Sequence, residues 1–117
     1  TARDSERHVL LFTRTYNLLC FWYVHTKKWP KFDRYTLAQK VFSLLLEIVV
    51  KINTAEYMPP LRKRQLLETA SPFLDSTKIV VRLTHSLNLI DEPKYIRIEN
   101  ELIEIGKMLG GWIGSLT

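Results

Sequence analysis

Glycine is nearly missing from this chain: all four glycines lie from Gly106 onward, within the last dozen residues. No Asn-Gly or Asp-Gly pair occurs, so the two-residue turns that close β-hairpins have no support and a sheet is disfavoured. Cysteine is down to Cys20. That excludes an internal disulfide and a cysteine-built metal cage, and makes a reducing compartment the default. Cys20 itself reads as a small buried hydrophobe. Catalytic signatures are also missing. No His-Glu-x-x-His, calcium-loop or glycine-rich phosphate motif is present. His8, His25 and His85 have no Glu-x-x-His context, which a di-iron bundle would need. Glu99, Glu101 and Glu104 therefore read as solvated, or as paired with basic residues of a neighbouring helix or subunit. Arg3 and His8 have four residues between them, a spacing known from one class of helical RNA-cleaving domains. Such a spacing arises easily by chance, and the balance is against an enzyme. No catalytic residue, cofactor or metal ligand is assigned. The apolar stretch from Val9 to Val24 is too short for a membrane span and is interrupted by Arg14 and Asn17. It also lacks a secretory cleavage pattern. The expected location is the cytoplasm.

What the chain does have is apolar material and positive charge. Hydrophobic types make up 46% of its 117 residues, enough for one domain spanning 1–117. Lysine and arginine number 17 against 12 acidic residues, for a net charge of +5. A basic balance favours anionic partners. The charge is uneven: residues 1–34 sum to +4, 57–90 to +3 and 91–117 to −2. One face of the fold is thus expected to be the anion-binding side.

Long stretches with apolar residues three and four apart predict helices. The first is expected over about 4–28, with Val9, Phe12, Tyr16, Leu19 and Tyr23 on its face and Leu11, Leu18 and Trp22 widening it. Trp29-Pro30 ends it. The second is expected over 36–54, opened by a capping box of Thr36 and Gln39. Leu37, Val41, Leu44, Leu45, Ile48 and Ile52 form its core face. With Phe42, Leu46, Val49 and Val50 it is apolar nearly all round, so it must be buried nearly all round, and the excess asks for a second chain. The β-branched run Ile48–Val50 argues locally for strand. The third helix is expected over 59–88, kinked at Pro72, with Leu66, Leu67, Ala70, Leu74, Ile79, Val81 and Leu83 inside. The fourth is expected over 92–112. Asp91 caps it, Tyr95, Ile98, Leu102, Ile105 and Leu109 line it, and Gly110-Gly111 end it. Four such rods with short loops make an all-α, up-down-up-down four-helix bundle that oligomerises.

The basic residues fall into groups. Lys27, Lys28, Lys31 and Arg34 surround the first loop beside Trp29, Phe32 and Tyr35, a mix suited to phosphates and unpaired bases. Taken singly, Trp29 and Phe32 read as plugs for the end of the bundle. Arg62, Lys63 and Arg64 form the densest run. Lys78 and Arg82 share a helix face, with Asp75 placed to hold Lys78. Arg14 is the polar exception on the first helix, able to snorkel or to pair with a carboxylate. These ten residues are the candidate contacts for nucleic acid or a protein partner. Binding of this kind is phosphate-directed, salt-dependent and weakly sequence-specific.

Three segments carry a family resemblance. The first runs Trp29-Pro30-Lys31-Phe32-Asp33-Arg34-Tyr35-Thr36-Leu37. The second is Leu74-Asp75, then Val80-Val81-Arg82-Leu83 and Leu87-Asn88-Leu89-Ile90. The third is Ile105-Gly106-Lys107-Met108-Leu109-Gly110-Gly111-Trp112. Over nearly the whole chain from Leu11, the sequence resembles the accessory variability proteins of bacterial and phage diversity-generating retroelements. That group is related to the four-helix proteins of intervening sequences in 23S ribosomal RNA. The resemblance implies a homo-oligomer, a pentameric barrel of four-helix protomers with a positive surface. It implies a reverse transcriptase and its template RNA as partners, DNA among the ligands, and a role in adenine-specific mutagenic reverse transcription without polymerase activity of its own. It makes Arg14, Lys78 and Arg82 binding candidates, Gly106 a close-packing residue, and Gly110-Gly111 helix terminators. Ala38 stands where the family commonly has glycine, and Ser71-Pro72 where many relatives continue a helix. The alternative is an RNA-associated protein of the intervening-sequence type, or a purely structural oligomer.

Overall fold

The computed structural model describes residues 2–116, apart from the side chain of Ala2. No strand occurs among them. Four rods follow one another up, down, up and down: α1 (Ala2–Thr26), α2 (31–55), α3 (Pro60–Ser86) and α4 (Glu92–Ser115). α1 packs on α2 and α4, and α3 packs on the same two, so the rods form a ring around one core. The bundle measures 45 × 23 × 20 Å.

α1 buries only part of the surface expected of it. Leu11, Leu18, Leu19 and Trp22 are buried, whereas Val9, Tyr16 and Tyr23 are about half exposed. The core stripe is Leu11, Thr15, Leu18, Trp22 and Thr26, spaced four, three, four and four. Two of its members are threonines whose hydroxyls donate to their own helix, Thr15 to Leu11 O at 2.9 Å and Thr26 to Trp22 O at 2.8 Å. A hydroxyl satisfied this way can be buried at little cost. Cys20 falls on the other side and is exposed, contrary to its reading as a core residue.

α2 begins at Lys31, not at Thr36. A short turn (Lys31–Asp33) leads through a π-helical turn (Arg34–Ala38) into Gln39–Ala55. Thr36 is therefore inside the rod. Its hydroxyl donates to Phe32 O at 2.7 Å instead of capping Gln39. Val41, Leu44, Leu45, Ile48, Val49 and Ile52 are buried, so the run Ile48–Val50 is helical and α2 is largely covered by its own neighbours. Only Leu46 and Val50 remain open on its long segment. Of the four rods, α1 exposes the most large apolar residues: Val9, Leu10, Tyr16, Tyr23 and Val24.

α3 continues through Pro72. Pro72 and Glu68, the residue four before it, both face outward, so the hydrogen bond proline cannot donate is lost at the solvent edge. Leu67, Ala70, Leu74 and Val81 are buried as expected, but Ile79 is 70% exposed and Leu83 is open. Thr77 and Thr84 take the inward positions, their hydroxyls bonded to Phe73 O and Val81 O. α3 ends in a Schellman turn: Leu89 N–H donates to Thr84 O, Asn88 N–H to His85 O, and Asn88 adopts φ 61°.

α4 starts as expected, with Asp91 Oδ1 accepting the N–H of Lys94 at 2.9 Å. Ile98, Leu102, Ile105 and Leu109 are buried, joined by Trp112. The helix does not stop at Gly110-Gly111. It runs to Ser115, and no glycine has a positive φ. A Cβ on Gly106 would lie 3.4 Å from Leu74 Cδ2, in keeping with close packing there, and one on Gly111 would lie 3.4 Å from an Arg7 guanidinium nitrogen.

Candidate nucleic-acid interface

The ring order sets which basic residues can act together. The C-terminal end of α1, the start of α2, the C-terminal end of α3 and the start of α4 share one end of the bundle. That end holds Lys27, Lys28, Lys31, Arg34 and Arg82. Arg62, Lys63 and Arg64 open α3 at the opposite end. Arg62 and Arg82 are separated by roughly 30 Å along the helix, so the ten candidates do not form one site.

Pairing sorts them further. Lys63 is buried, and its ammonium pairs with Asp4. Arg14 makes a two-pronged contact with Glu101 across α1 and α4, at 3.0 and 3.1 Å. Glu101, joined by the field of Glu104, holds the Arg14 guanidinium even more firmly protonated than usual. Arg64 pairs with Glu68 on its own helix at 2.9 Å. By contrast Lys27, Lys28, Lys31, Arg34, Arg62, Lys78 and Arg82 have no carboxylate within ion-pair distance among the described residues. Asp75 does not hold Lys78. The Lys78 ammonium lies 3.8 Å from where a Cβ on Gly106 would stand, in the groove between α3 and α4 that Lys107 also lines.

The basic end is built by the first loop. Trp22 donates its indole N–H to Ala38 O at 2.8 Å, which ties the π-turn of α2 to α1. Trp29 packs edge-on against Trp22 at 5.6 Å and plugs the bundle end. Phe32 does not: it is 77% exposed. Arg34 donates to Lys27 O at 3.3 Å and lies 5.1 Å from the centre of the Tyr35 ring. It thereby satisfies a carbonyl beyond the end of α1, where a cation is favourable. Lys27 and Arg34 are held on one rim, with Tyr35 beside them.

Two cations at this end escaped the sequence reading. Lys94 and Arg97 lie close enough to His25 to act on it. Burial first, and then these two positive charges, hold the imidazole below its ordinary range. Arg97 also sits 4.4 Å over the Phe21 ring. Both belong to the segment whose summed charge is −2, and that average hid them. The bundle places the start of α4 beside the end of α1, so its two cations join the basic end together with the exposed Asp91 and Glu92, while Glu101 and Glu104 lie further down.

On the α3–α4 seam, His85 stacks on Tyr95 at 4.2 Å and 6°. Burial first, then the nearby Glu99 charge, raise the Tyr95 phenol, against the opposing pull of Arg82. His8 is far from this end: its Nδ1 faces Glu56 at 3.4 Å and its ring stacks on Phe12. Among the described residues, no group of three or more His, Cys, Asp or Glu is placed to hold a metal ion. No helix is long and apolar enough to cross a membrane.

A protein-family model described as bAvd-like matches residues 9–116, nearly the whole chain. No curated protein and no solved structure matches.

Proposed function

Since this chain belongs to the bAvd-like family of accessory variability determinants, we propose that it is the accessory protein of a diversity-generating retroelement. It is a family of accessory proteins, not of enzymes. In this reading the protein self-assembles, binds the element's reverse transcriptase, and holds template RNA or its DNA copy on the basic end while the polymerase carries out mutagenic synthesis.

One observation carries the nucleic-acid part: Lys27, Lys28, Lys31 and Arg34 crowd one end of the bundle without carboxylate partners among the described residues. Unpaired surface cations at such density attract a polyanion and release its counterions. Lys94, Arg97 and Arg82 extend the same field toward α4 and α3. Arg14, Lys63 and Arg64 contribute less, because each already has a carboxylate.

Self-assembly is supported by the open side of α1. From Val9 to Val24 its exposed positions are Val9, Leu10, Thr13, Tyr16, Asn17, Cys20, Tyr23 and Val24, with no charge among them. A soluble monomer rarely leaves so long a helix face uncharged. A second copy of the chain would cover it, and a ring of five follows the family resemblance.

The test is binding of labelled RNA and single-stranded DNA between about 50 and 200 mM salt. Four phosphate contacts give a slope of log affinity on log salt of roughly −3 for a single strand. Lys27→Glu with Lys31→Glu is expected to flatten that slope and weaken binding by about tenfold. Absence of binding at the lowest salt would remove nucleic acid from the proposal.

A further inference from the structure

A cleft opens beside the basic rim, between the last turn of α1 and the π-turn of α2. Its walls are Tyr23, Lys27, Arg34, Tyr35, Gln39 and Phe42, over a floor that includes Ala38. At about 370 Å³ it falls within the range of small-ligand pockets, roughly 300–1,000 Å³. We infer that this cleft receives one nucleotide of an unpaired strand, its base against Tyr35 and its phosphate toward Lys27 and Arg34. The inference rests on the nucleic-acid reading above and deepens it, because that reading needs only a basic surface and no pocket.

Three features define the chemistry of the occupant. The first is flat aromatic surface in open position. Tyr35 is 59% exposed although it belongs to a helix that buries most of its other large apolar residues. Arg34 covers one side of its ring at 5.1 Å, which leaves the other side for a planar group. Tyr23 and Phe42 also line the cleft, with ring centres 6.0 Å apart and tilted by 56°. Bases stack on such rings regardless of identity.

The second is an edge reader. Gln39 is exposed at the cleft wall, and its side-chain amide makes no hydrogen bond among the described residues. An amide offers donor and acceptor together, as the edge of an unpaired base does.

The third is charge. Among the described residues Lys27 and Arg34 have no carboxylate partner, and Arg34 uses one nitrogen on Lys27 O while its other donors bond to none of them. A planar apolar face, a donor–acceptor edge and an anion describe a nucleotide. A peptide helix or an aliphatic ligand would leave Gln39 and the two cations unmatched.

Local backbone structure supports a built cleft. The π-turn Arg34–Ala38 interrupts the α-helical register of α2 where the cleft forms, and such turns recur at functional sites. Trp22 fixes that turn through Ala38 O.

The experiment measures fluorescence anisotropy of the whole protein with three labelled probes: a single-stranded RNA, the same strand with abasic sites in place of bases, and an RNA duplex. A free mononucleotide serves as competitor. Tyr35→Ala is expected to lose roughly tenfold in affinity for the base-bearing strand and less than about twofold for the abasic strand and the duplex. Tyr35→Phe keeps the ring and is expected to bind like the parent. Gln39→Ala should change the ranking among homopolymer strands. Displacement of the strand by the mononucleotide also supports a nucleotide cleft, one that does not require a continuous strand. Circular dichroism checks that the variants remain helical, as the exposure of both side chains predicts.

Equal losses on base-bearing and abasic strands, or no loss on either, overturn the inference while leaving the basic-surface reading intact. So does a Tyr35→Ala variant that binds RNA normally but changes its oligomeric mass or its hold on the polymerase, since the cleft would then receive protein. Failure of the parent protein to bind any probe at low salt overturns both.

Discussion

Asp4 and Trp112 stand 108 positions apart, yet the indole Nε1–H of Trp112 donates to Oδ1 of Asp4. The other carboxylate oxygen takes the Lys63 ammonium, which lies 5.9 Å from the centre of the Trp112 ring. The starts of α1 and α3 and the end of α4 are thus fastened at one carboxylate. Burial alone would push Asp4 upward, but the hydrogen bonds from Lys63 and Trp112 and the lysine charge outweigh it and hold the carboxyl below its ordinary value. Asp4→Asn leaves Lys63 nearly buried without its counter-charge and is expected to cost about 3 kcal/mol at neutral pH. Denaturant unfolding measures this, and a cost under about 0.5 kcal/mol would mean that Lys63 swings out to water. The sign with pH follows from the lowered value. The unfolded chain takes the proton first, so this contribution is full above the ordinary carboxylate pKa of about 3.9 and is lost as pH falls through the folded value. The parent's melting temperature should therefore fall more steeply below about pH 4 than that of Asp4→Asn.

Asn88 supplies the second prediction. It holds φ 61° at the end of α3, where the turn returns the chain toward Asp91. Glycine takes that conformation without a Cβ penalty. Asn88→Gly is expected to leave stability unchanged or raise it by up to about 1 kcal/mol, and Asn88→Ala to lower it by about 1 kcal/mol. Thermal unfolding of the two variants checks the order, and a more stable alanine variant would contradict the turn.

The uncharged side of α1 gives a prediction about mass. Tyr16 is 49% exposed and Val9 57%, so neither holds the bundle together. Val9→Glu with Tyr16→Glu should leave helicity unchanged and reduce the particle in sedimentation equilibrium to the 13.8 kDa of one chain. Cys20 lies on the same side and reports independently: its thiol should react with Ellman's reagent faster in the double variant than in the parent. A parent already at single-chain mass at micromolar concentration would end the self-assembly proposal.

Lys78 and Arg82 lie along the α3–α4 seam and have no ion-pair partner among the described residues. Reversing both charges is expected to weaken RNA or polymerase association, by about tenfold for RNA at low salt, with the circular dichroism spectrum unchanged. Unfolding instead would assign them to the framework, Arg82 through the field it exerts on Tyr95.

Which parts of this fold are legible in the sequence depends on residue type. α4 reads almost correctly because its core positions Ile98, Leu102, Ile105 and Leu109 are all aliphatic, and α2 reads well for the same reason. On α1 and α3 the inward stripe is completed by threonines, and the apolar residues beside them face outward. A pattern search that scores only apolar types therefore selects Val9–Tyr16–Tyr23 over Leu11–Leu18–Trp22, and Ile79 over Thr77. The π-turn leaves no composition signal, so the start of α2 is misplaced by five residues relative to Thr36. The basic end is half legible. Lys27 to Arg34 are contiguous, but Lys94 and Arg97 arrive only through the ring order of the helices.

Thr77 offers a direct test of how a threonine fills an inward position. It is fully buried, and its hydroxyl donates to Phe73 O at 2.7 Å within its own helix. If the hydroxyl is tolerated there only because the helix satisfies it, the site is in effect an apolar one. Thr77→Val keeps the shape and removes both the hydroxyl and its need for a partner, while Phe73 O keeps a second lone pair for the helix ladder. Its effect should stay within about 1 kcal/mol. Thr77→Ala opens a small cavity and should cost about 1–2 kcal/mol. Thr77→Asn adds a larger polar group with donors that the core cannot match and should cost more than either. The order Val, Ala, Asn in denaturant unfolding supports a hydrophobic position occupied by a self-satisfied threonine. A valine variant as damaged as the asparagine one would show that the hydroxyl serves a wider polar network, and the explanation for the hidden stripe on α3 would have to be given up.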